Sequence, residues 1–315
     1  MKNQSITEAM LQFIEESPTA FHAAANVEAL LLENGFEKLE NLEEGALVPG
    51  GSYYTMQNGS AVLAVKISEN PAKGFRIAAS HSDSPCFKIK EVPEMKVENT
   101  YVKLNVEKYG GMILSPWLDR PLSVAGRVFV AGKDGKPEAK LVNLKKDLLI
   151  IPNVAIHFNR EINNGFAYNP QTDMAPLMGL DQELSIKKLC AEAAGVAEEE
   201  ILGSDLYVYN RDKGRIMGAD DSLIGSPRLD DLQCAYATLH GFLASKPEEF
   251  ISVYALFDNE EVGSGTKQGA DSTFLEEFLE IVLENVYPDK NRLWKRSFYQ
   301  NSFLLSADNG HAVHP

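Results

Sequence analysis

The sequence has little cysteine: Cys86, Cys190 and Cys234 are the three among 315 residues. They are odd in number, lie far apart and form no CxxC pair, so neither a disulfide framework nor a structural zinc knuckle is indicated. This usage is typical of a reducing compartment, and we predict a cytoplasmic protein.

Long apolar runs are also lacking. No stretch approaches the roughly eighteen residues that a membrane span needs, and the N-terminal residues 1–22 contain no continuous apolar core of a secretory signal. Because 44% of the residues are apolar, the chain can still bury a sizeable core. We predict a soluble globular protein that is not exported.

Positive charge is in deficit, with 30 basic against 45 acidic residues and a formal net charge of -15. Binding to phosphates requires basic patches, so the composition argues against nucleic acid and anionic membranes as partners. The motifs of several enzyme classes are missing as well. The segment "GSGTKQG" at 263–269 is not a dinucleotide-binding GxGxxG, and neither a GxxxxGK[ST] phosphate loop nor a GxSxG nucleophile elbow occurs.

The pattern of apolar residues indicates a discontinuous domain. A helix is predicted over 17–35 and strands over 60–68 and 74–80, the second of them buried on both faces, and strands and helices alternate again from 226. The stretch between them has the texture of β-hairpins, as in "GRVFVAGKDGKPEAKLVNL". We predict an α/β fold with an open mixed sheet flanked by helices, formed by residues 1–92 and 217–315, and a β-rich inserted domain at 93–216.

Four polar segments follow a predicted strand or precede a predicted helix: "RIAASHSD" with His81 and Asp83, "GSPRLDDLQ" with Asp230 and Asp231, "YALFDNEE" with Glu260 and Glu261, and "FLLSADNGH" with Asp308. Ligands of open α/β sheets bind at the carboxyl ends of the strands, so these segments are expected to converge there.

A histidine together with several carboxylates suits zinc and related divalent ions. Paired metal ions share a carboxylate, and we assign this bridging role to Asp230, which precedes a helix. Asp231 is expected to cap the local backbone. Asp83 lies two residues after His81 on an extended segment, so it can accept the other ring proton and orient the imidazole.

The adjacent glutamates can serve different purposes, because neighbouring residues at a strand end diverge. Glu261 can bind metal while Glu260 acts as general base, taking a proton from water and returning it to a leaving amine. This chemistry is the hydrolysis of an amide. Each motif alone also fits an ordinary turn or helix cap, and a glycosidase would leave His81 and Asp308 without a role. A single-metal hydrolase using His81, Glu261 and Asp308 remains an alternative.

The segments "SPTAFHAAANVEALL", "AASHSDSPCFKIK", "IPNVAIHFNREIN", "SPRLDDLQCAYA", "FDNEEVGSGTKQGA" and "LLSADNGHAVHP" together resemble the aspartyl aminopeptidase family of di-zinc metallopeptidases. The resemblance extends over essentially the whole chain. It implies a di-zinc exopeptidase-like fold and the removal of N-terminal residues, preferentially Asp or Glu, from peptides. It also implies a cytosolic homo-oligomer in which dimers assemble into a dodecamer.

The resemblance assigns residues as well. His81, Asp230, Glu261 and Asp308 correspond to ligands of two zinc ions, for which cobalt or manganese could substitute. Glu260 corresponds to the general base and Asp83 to the residue that orients the histidine. The inserted domain corresponds to a dimerisation domain, and His157 to a histidine that reaches the active site of a neighbouring subunit.

A second zinc-binding histidine of the family lies beyond residue 315. His311 and His314 match loop residues of the family rather than this ligand, and His22 and His240 are expected to be structural. We therefore expect a family member that lacks its C-terminal portion. The alternative to an active aminopeptidase is a truncated, non-catalytic subunit that assembles with full-length chains.

Overall fold

The computed structural model describes residues 5–40 and 47–313. The chain forms two compact units, one running up to Ser84 and resuming at Arg228, the other comprising Pro85–Pro227. The second unit is longer than the inserted domain expected at 93–216, because it begins at Pro85 and ends at Pro227. Strand Cys86–Val97 pairs with strands Tyr101–Tyr109 and Ile201–Asn210 of the second unit, and strands Arg215–Met217 and Leu223–Gly225 pair with each other.

The first unit begins with α1 (Ile6–Glu16), α2 (Ala20–Glu33), β1 (Glu37–Lys38), β2 (Ser52–Gln57), β3 (Ala61–Ile67) and β4 (Phe75–His81). The second unit contains β5 (Cys86–Val97), β6 (Tyr101–Tyr109), β7 (Leu122–Ala131), β8 (Pro137–Asn143), β9 (Leu177–Gly179), α3 (Ile186–Ala194), β10 (Ile201–Asn210), β11 (Arg215–Met217) and β12 (Leu223–Gly225). The first unit then continues with α4 (Leu229–Ala244), β13 (Ile251–Phe257), α5 (Phe274–Val286), α6 (Arg292–Gln300) and β14 (Phe303–Ser306).

The sheet of the first unit is mixed, with strand order β1-β2-β3-β13-β4-β14. The ladders of β4 with β13 and with β14 are parallel, whereas β3 pairs antiparallel with both β2 and β13. The carboxyl ends of β13, β4 and β14 therefore meet at one edge. The predicted α/β fold with an open mixed sheet flanked by helices is confirmed.

Both faces of this sheet are covered by helices, which explains the continuous apolar run of β13. Tyr254 and Leu256 point to a cluster with residues of α1, α2 and α4, while Val253 and Ala255 point to a cluster with residues of α5 and α6. Successive side chains of a strand face opposite ways, so a strand buried on both faces has no polar alternation.

The second unit has an antiparallel six-stranded sheet with order β8-β7-β10-β5-β6-β9, against which α3 packs. The predicted hairpin at 126–144 is the β7–β8 pair. At Gly126 a Cβ would lie 2.0 Å from the carbonyl oxygen of Asp205, so only glycine allows β10 this close approach. Within the described ranges, no helix is long and apolar enough to cross a membrane.

Candidate metal centre

His81 is the last residue of β4 and lies at the carboxyl edge of the first unit's sheet. Its side chain is buried, 5% exposed, and its ring Nδ1 contacts the Oδ1 atom and the backbone carbonyl of Asp83 at 3.2 and 3.1 Å. With the proton on Nδ1, the lone pair of Nε2 is free to face the cluster described below, and this is the tautomer that a metal ligand requires.

Asp83 joins two segments of the site. Besides meeting the imidazole, its carboxylate accepts the backbone N–H groups of Glu260 at 3.2 Å and Glu261 at 3.1 Å. The buried carboxylate thus fixes the start of the loop that follows β13. The structure places Asp83 beside His81. It also shows hydrogen bonds from the backbone N–H groups of Glu260 and Glu261 to Asp83, which were not predicted.

The turn before α4 supplies two carboxylates. Asp230 has non-helical backbone angles and a half-exposed side chain, and its carbonyl accepts a hydrogen bond from Ser84 Oγ at 2.7 Å. Asp231 is fully buried, and its Oδ2 accepts the backbone N–H of His81 at 3.1 Å. Asp231 was expected to cap the local backbone, but this bond goes to β4 instead, so the prediction is wrong.

Four side chains come together at this edge: His81, Asp230, Asp231 and Asp308 each offer a ligand atom within 4.8 Å of the others. From His81 Nε2 the distances are 3.5 Å to Asp230 Oδ1, 3.8 Å to Asp308 Oδ1 and 4.0 Å to Asp231 Oδ2. Glu260 Oε2 also lies 3.8 Å from His81 Nε2. The strand ends therefore converge as the topology requires.

The electrostatics of the cluster favour a positive charge. Burial lowers the pKa of His81, but the hydrogen bond and charge of Asp83 and the charges of Asp231 and Glu260 outweigh it and raise the pKa to about 9. Burial raises the pKa of Asp231 to about 6. Burial and the charges of Asp83, Asp230 and Glu260 raise that of Glu261 to about 7. Burial and the neighbouring negative charges thus both disfavour the charged form of Glu261.

The loop after β13 is held by its own hydrogen bonds. The side-chain oxygen of Asn259 accepts from Thr266 Oγ1 at 2.7 Å and from Gln268 Nε2 at 2.8 Å. Asn259 itself has a positive φ of 64°, and at Gly269 a Cβ would lie 2.0 Å from the carbonyl oxygen of Ser264. The glycines of "GSGTKQG" thus serve a tight turn that presents Glu260 and Glu261.

Other predicted site residues are placed differently. Glu261 lies outside the group of four, although it feels the charges of that group, and its ligand role stays a prediction. His157 is exposed in the second unit, in a segment without strands or helices. His311 is exposed and outside the group, and His314 lies outside the described residues.

The two histidines that were expected to be structural make local contacts. His22 Nδ1 lies 2.8 Å from Thr19 Oγ1, and the ring of His240 packs on that of Tyr236. The contacts of Asn309, whose side chain donates to the carbonyl oxygen of Leu229 at the start of α4, were not predicted from the sequence. An asparagine in a loop has no pattern that would have revealed them.

The donor set fits a divalent metal. One neutral imidazole nitrogen and carboxylate oxygens are the usual ligands of zinc in hydrolytic sites, and Oδ1 of buried Asp231 has no hydrogen-bond partner. The fold and site therefore define an α/β protein with a candidate metal centre at the carboxyl edge of its sheet.

Comparisons with known proteins agree with this class. The sequence profile described as "Aminopeptidase I zinc metalloprotease (M18)" matches residues 13–315. A probable M18 family aminopeptidase 2 of Clostridium acetobutylicum is 44% identical, over 100% of this chain and 74% of that protein.

Two solved structures are similar to this chain. A chain in the cryo-EM structure of the Ape4 and Nbr1 complex superposes with a TM-score of 0.92 at 32% identity, over 98% of this chain and 64% of that one. The mApe1 dodecamer of S. cerevisiae gives 0.86 at 25% identity, over 99% and 73%. This chain belongs to the M18 family of zinc metallopeptidases, and it spans between two thirds and three quarters of the length of most of these relatives.

Proposed function

We propose that this chain carries the catalytic site of a zinc-dependent aminopeptidase that removes N-terminal residues from peptides. The observation that carries the proposal is the arrangement around His81, whose Nε2 faces Asp230, Asp308 and Glu260 at 3.5 to 3.8 Å. Membership of the M18 family and the naming of relatives as aminopeptidases support the same reaction.

In this proposal His81, Asp230, Glu261 and Asp308 would hold two zinc ions, with Asp230 as the ligand that both ions would share. Cobalt or manganese would accept the same ligands. When bound, zinc supplies positive charge that lowers the pKa of water and polarises the peptide carbonyl.

The chain's own residues handle the protons. Glu260 is half exposed beside His81 Nε2, so it is placed to accept a proton from water and to return it to the amine that leaves. Asp83 keeps the imidazole proton on Nδ1 and, through the backbone N–H groups of Glu260 and Glu261, fixes where both glutamates begin.

For the substrate we propose peptides with Asp or Glu at the N-terminus, on the strength of the motifs shared with aspartyl aminopeptidases. For the assembly we propose dimers that form a dodecamer, because a related structure is a dodecamer. For the location we propose the cytoplasm. In the segment around His157, the apolar side chains of Val154, Ile156 and Phe158 are exposed, which supports a contact with a neighbouring subunit through the inserted domain.

A non-catalytic subunit that assembles with longer chains is the second candidate. The donor count favours it, since in the part of the chain that the structure describes His81 is the one imidazole of the group. Catalytic zinc ions usually have three protein ligands each, and the proposed set of one histidine and three carboxylates is small for two ions even when one carboxylate is shared.

The deciding experiment measures zinc content and the hydrolysis of aspartyl, glutamyl and leucyl anilides by the purified chain. Glu260→Gln should retain zinc and lose hydrolysis by about two to four orders of magnitude, since it loses its proton acceptor. Glu284→Gln, an exposed glutamate on α5, is the control and should retain both. Full activity in Glu260→Gln would refute the mechanism, and zinc binding without turnover by the unaltered chain would favour the non-catalytic subunit.

A further inference from the structure

Asn309 connects the two segments that carry Asp308 and Asp230. Its Nδ2 donates to the carbonyl oxygen of Leu229 at 2.5 Å, and its Oδ1 accepts from the thiol of Cys234 at 3.5 Å. Leu229 directly precedes Asp230, and Cys234 lies one turn further along α4. The side-chain amide therefore contacts α4 at two points, at its first residue and about one turn further along.

The residue on the other side of Asp308 is anchored too. The backbone N–H of Ala307 donates to the carbonyl oxygen of Ala79 at 2.8 Å, continuing the ladder of β14 with β4. Asp308 thus sits between an anchor on β4, the strand that ends in His81, and an anchor on α4, the helix that begins with Asp230.

These anchors matter because the Asp308 side chain is itself half exposed, at 54%. Side-chain packing therefore does little to fix the carboxylate of Asp308. Hydrogen bonds on either side of it are what set its distance from His81 and Asp230.

We propose that Asn309 is a positioning residue, an amide latch from the Asp308 loop to the start of α4 that holds Asp308 at metal-binding distance from Asp230. The inference rests on the proposed zinc site. Ser84 Oγ, which donates to the Asp230 carbonyl, ties the same turn to the segment after β4 and makes this bond without Asp308. The latch is thus a side-chain contact that joins the Asp308 loop to the turn that carries Asp230.

The test compares Asn309→Ala with Asn285→Ala in the full 315-residue chain. Asn285 is a matched control, because it also uses both ends of its amide, donating to the Ile281 carbonyl and accepting from the N–H of Leu47. Zinc affinity is measured by competition with a chromophoric chelator. In metal-free protein, the alkylation rate of Cys234 is followed by peptide mass spectrometry, with Cys86 as the internal reference.

Asn309→Ala should weaken zinc binding about 10- to 100-fold, as loss of a residue that orients a ligand does. It should speed alkylation of Cys234 about 5- to 10-fold, since the hydrogen bonds that close the loop are gone. Asn285→Ala should change neither quantity. Should Asn309→Ala fail to fold, Asn309→Ser, which is too short to reach both partners, replaces it.

Equal zinc affinity and equal alkylation in Asn309→Ala and the unaltered chain would overturn the latch. If the unaltered chain binds no zinc, the proposed function fails instead. The alkylation rate then decides the latch by itself, with a faster rate in the variant supporting it and an unchanged rate overturning it.

Discussion

Asp83→Asn is expected to weaken both the fold and the metal centre, although it changes a single atom. The carboxylate is 4% exposed and serves three donors: His81 Nδ1 and the N–H of Glu260 at Oδ1, and the N–H of Glu261 at Oδ2. An asparagine oxygen can keep the first two contacts. Its NH₂ group then meets the N–H of Glu261, donor against donor.

The magnitude follows from this geometry. A buried donor left without an acceptor costs about 1–3 kcal/mol, and two charge-assisted hydrogen bonds become neutral ones, which are weaker by about 1 kcal/mol each. Part of this is offset, because the charge of Asp83 also opposes that of Glu261. We expect a net loss of about 2–4 kcal/mol in the free energy of unfolding of the metal-free chain, and zinc affinity about 10- to 100-fold lower.

The free energy of unfolding is measured by urea denaturation in the presence of a chelator, and the zinc affinity is measured by competition. Glu28→Gln is the control, since the Glu28 carboxylate likewise serves two donors, Lys38 Nζ at 2.6 Å and the Tyr54 hydroxyl at 3.0 Å, but belongs to α2. Glu28→Gln should lower the free energy of unfolding and leave the zinc affinity unchanged. If Asp83→Asn binds zinc as the unaltered chain does, Asp83 does not orient His81.

Metal-free protein should lose stability between about pH 4.5 and 9. The pKa values of Glu261 and His81 are raised from 4.5 to about 7 and from 6.5 to about 9, so the folded state keeps protons that the unfolded state releases. Urea midpoints should fall across this range, less steeply in Glu261→Gln, and a rise would contradict the assignment. Lys66→Met should cost about 1–3 kcal/mol, measured by urea denaturation against the unaltered chain. Lys66 Nζ donates to the carbonyls of Phe242, Leu243 and Ser245 at the end of α4, at 3.1, 2.6 and 3.2 Å, and an unchanged free energy would refute this capping role.

The central strands and their order along the chain could be predicted, because burial on both faces of a sheet leaves a continuous apolar run in the sequence. The runs at 74–80 and 251–257 became β4 and β13 with shifts of at most one residue. Helices α1 and α6 were not predicted. In α6, "RLWKRSFYQ", the apolar face is short, and it forms because Trp294 and Phe298 pack on Tyr287 of the first unit's core.

The convergence of the site could also be predicted, since parallel strands put their carboxyl ends at one edge. The partners inside the site could not. An aspartate before a helix suits a cap as well as a cross-link, so Asp231 gave no sign that it would bind the N–H of His81. The hydrogen bonds from the backbone N–H groups of Glu260 and Glu261 to Asp83 join residues about 177 positions apart, which come together only in the folded sheet.

The crowding of charge at His81 links metal binding to folding. Five described carboxylates lie within 4.0 Å of its ring nitrogens, those of Asp83, Asp230, Asp231, Glu260 and Asp308. One imidazolium cannot balance them, and the charges of Asp83, Asp230 and Glu260 add to burial in raising the pKa of Glu261. A divalent cation binds only the folded arrangement, so at 100 times its dissociation constant it should add about 2.7 kcal/mol to the free energy of unfolding. A urea midpoint that does not move when zinc is added would mean that the repulsion is relieved in some other way.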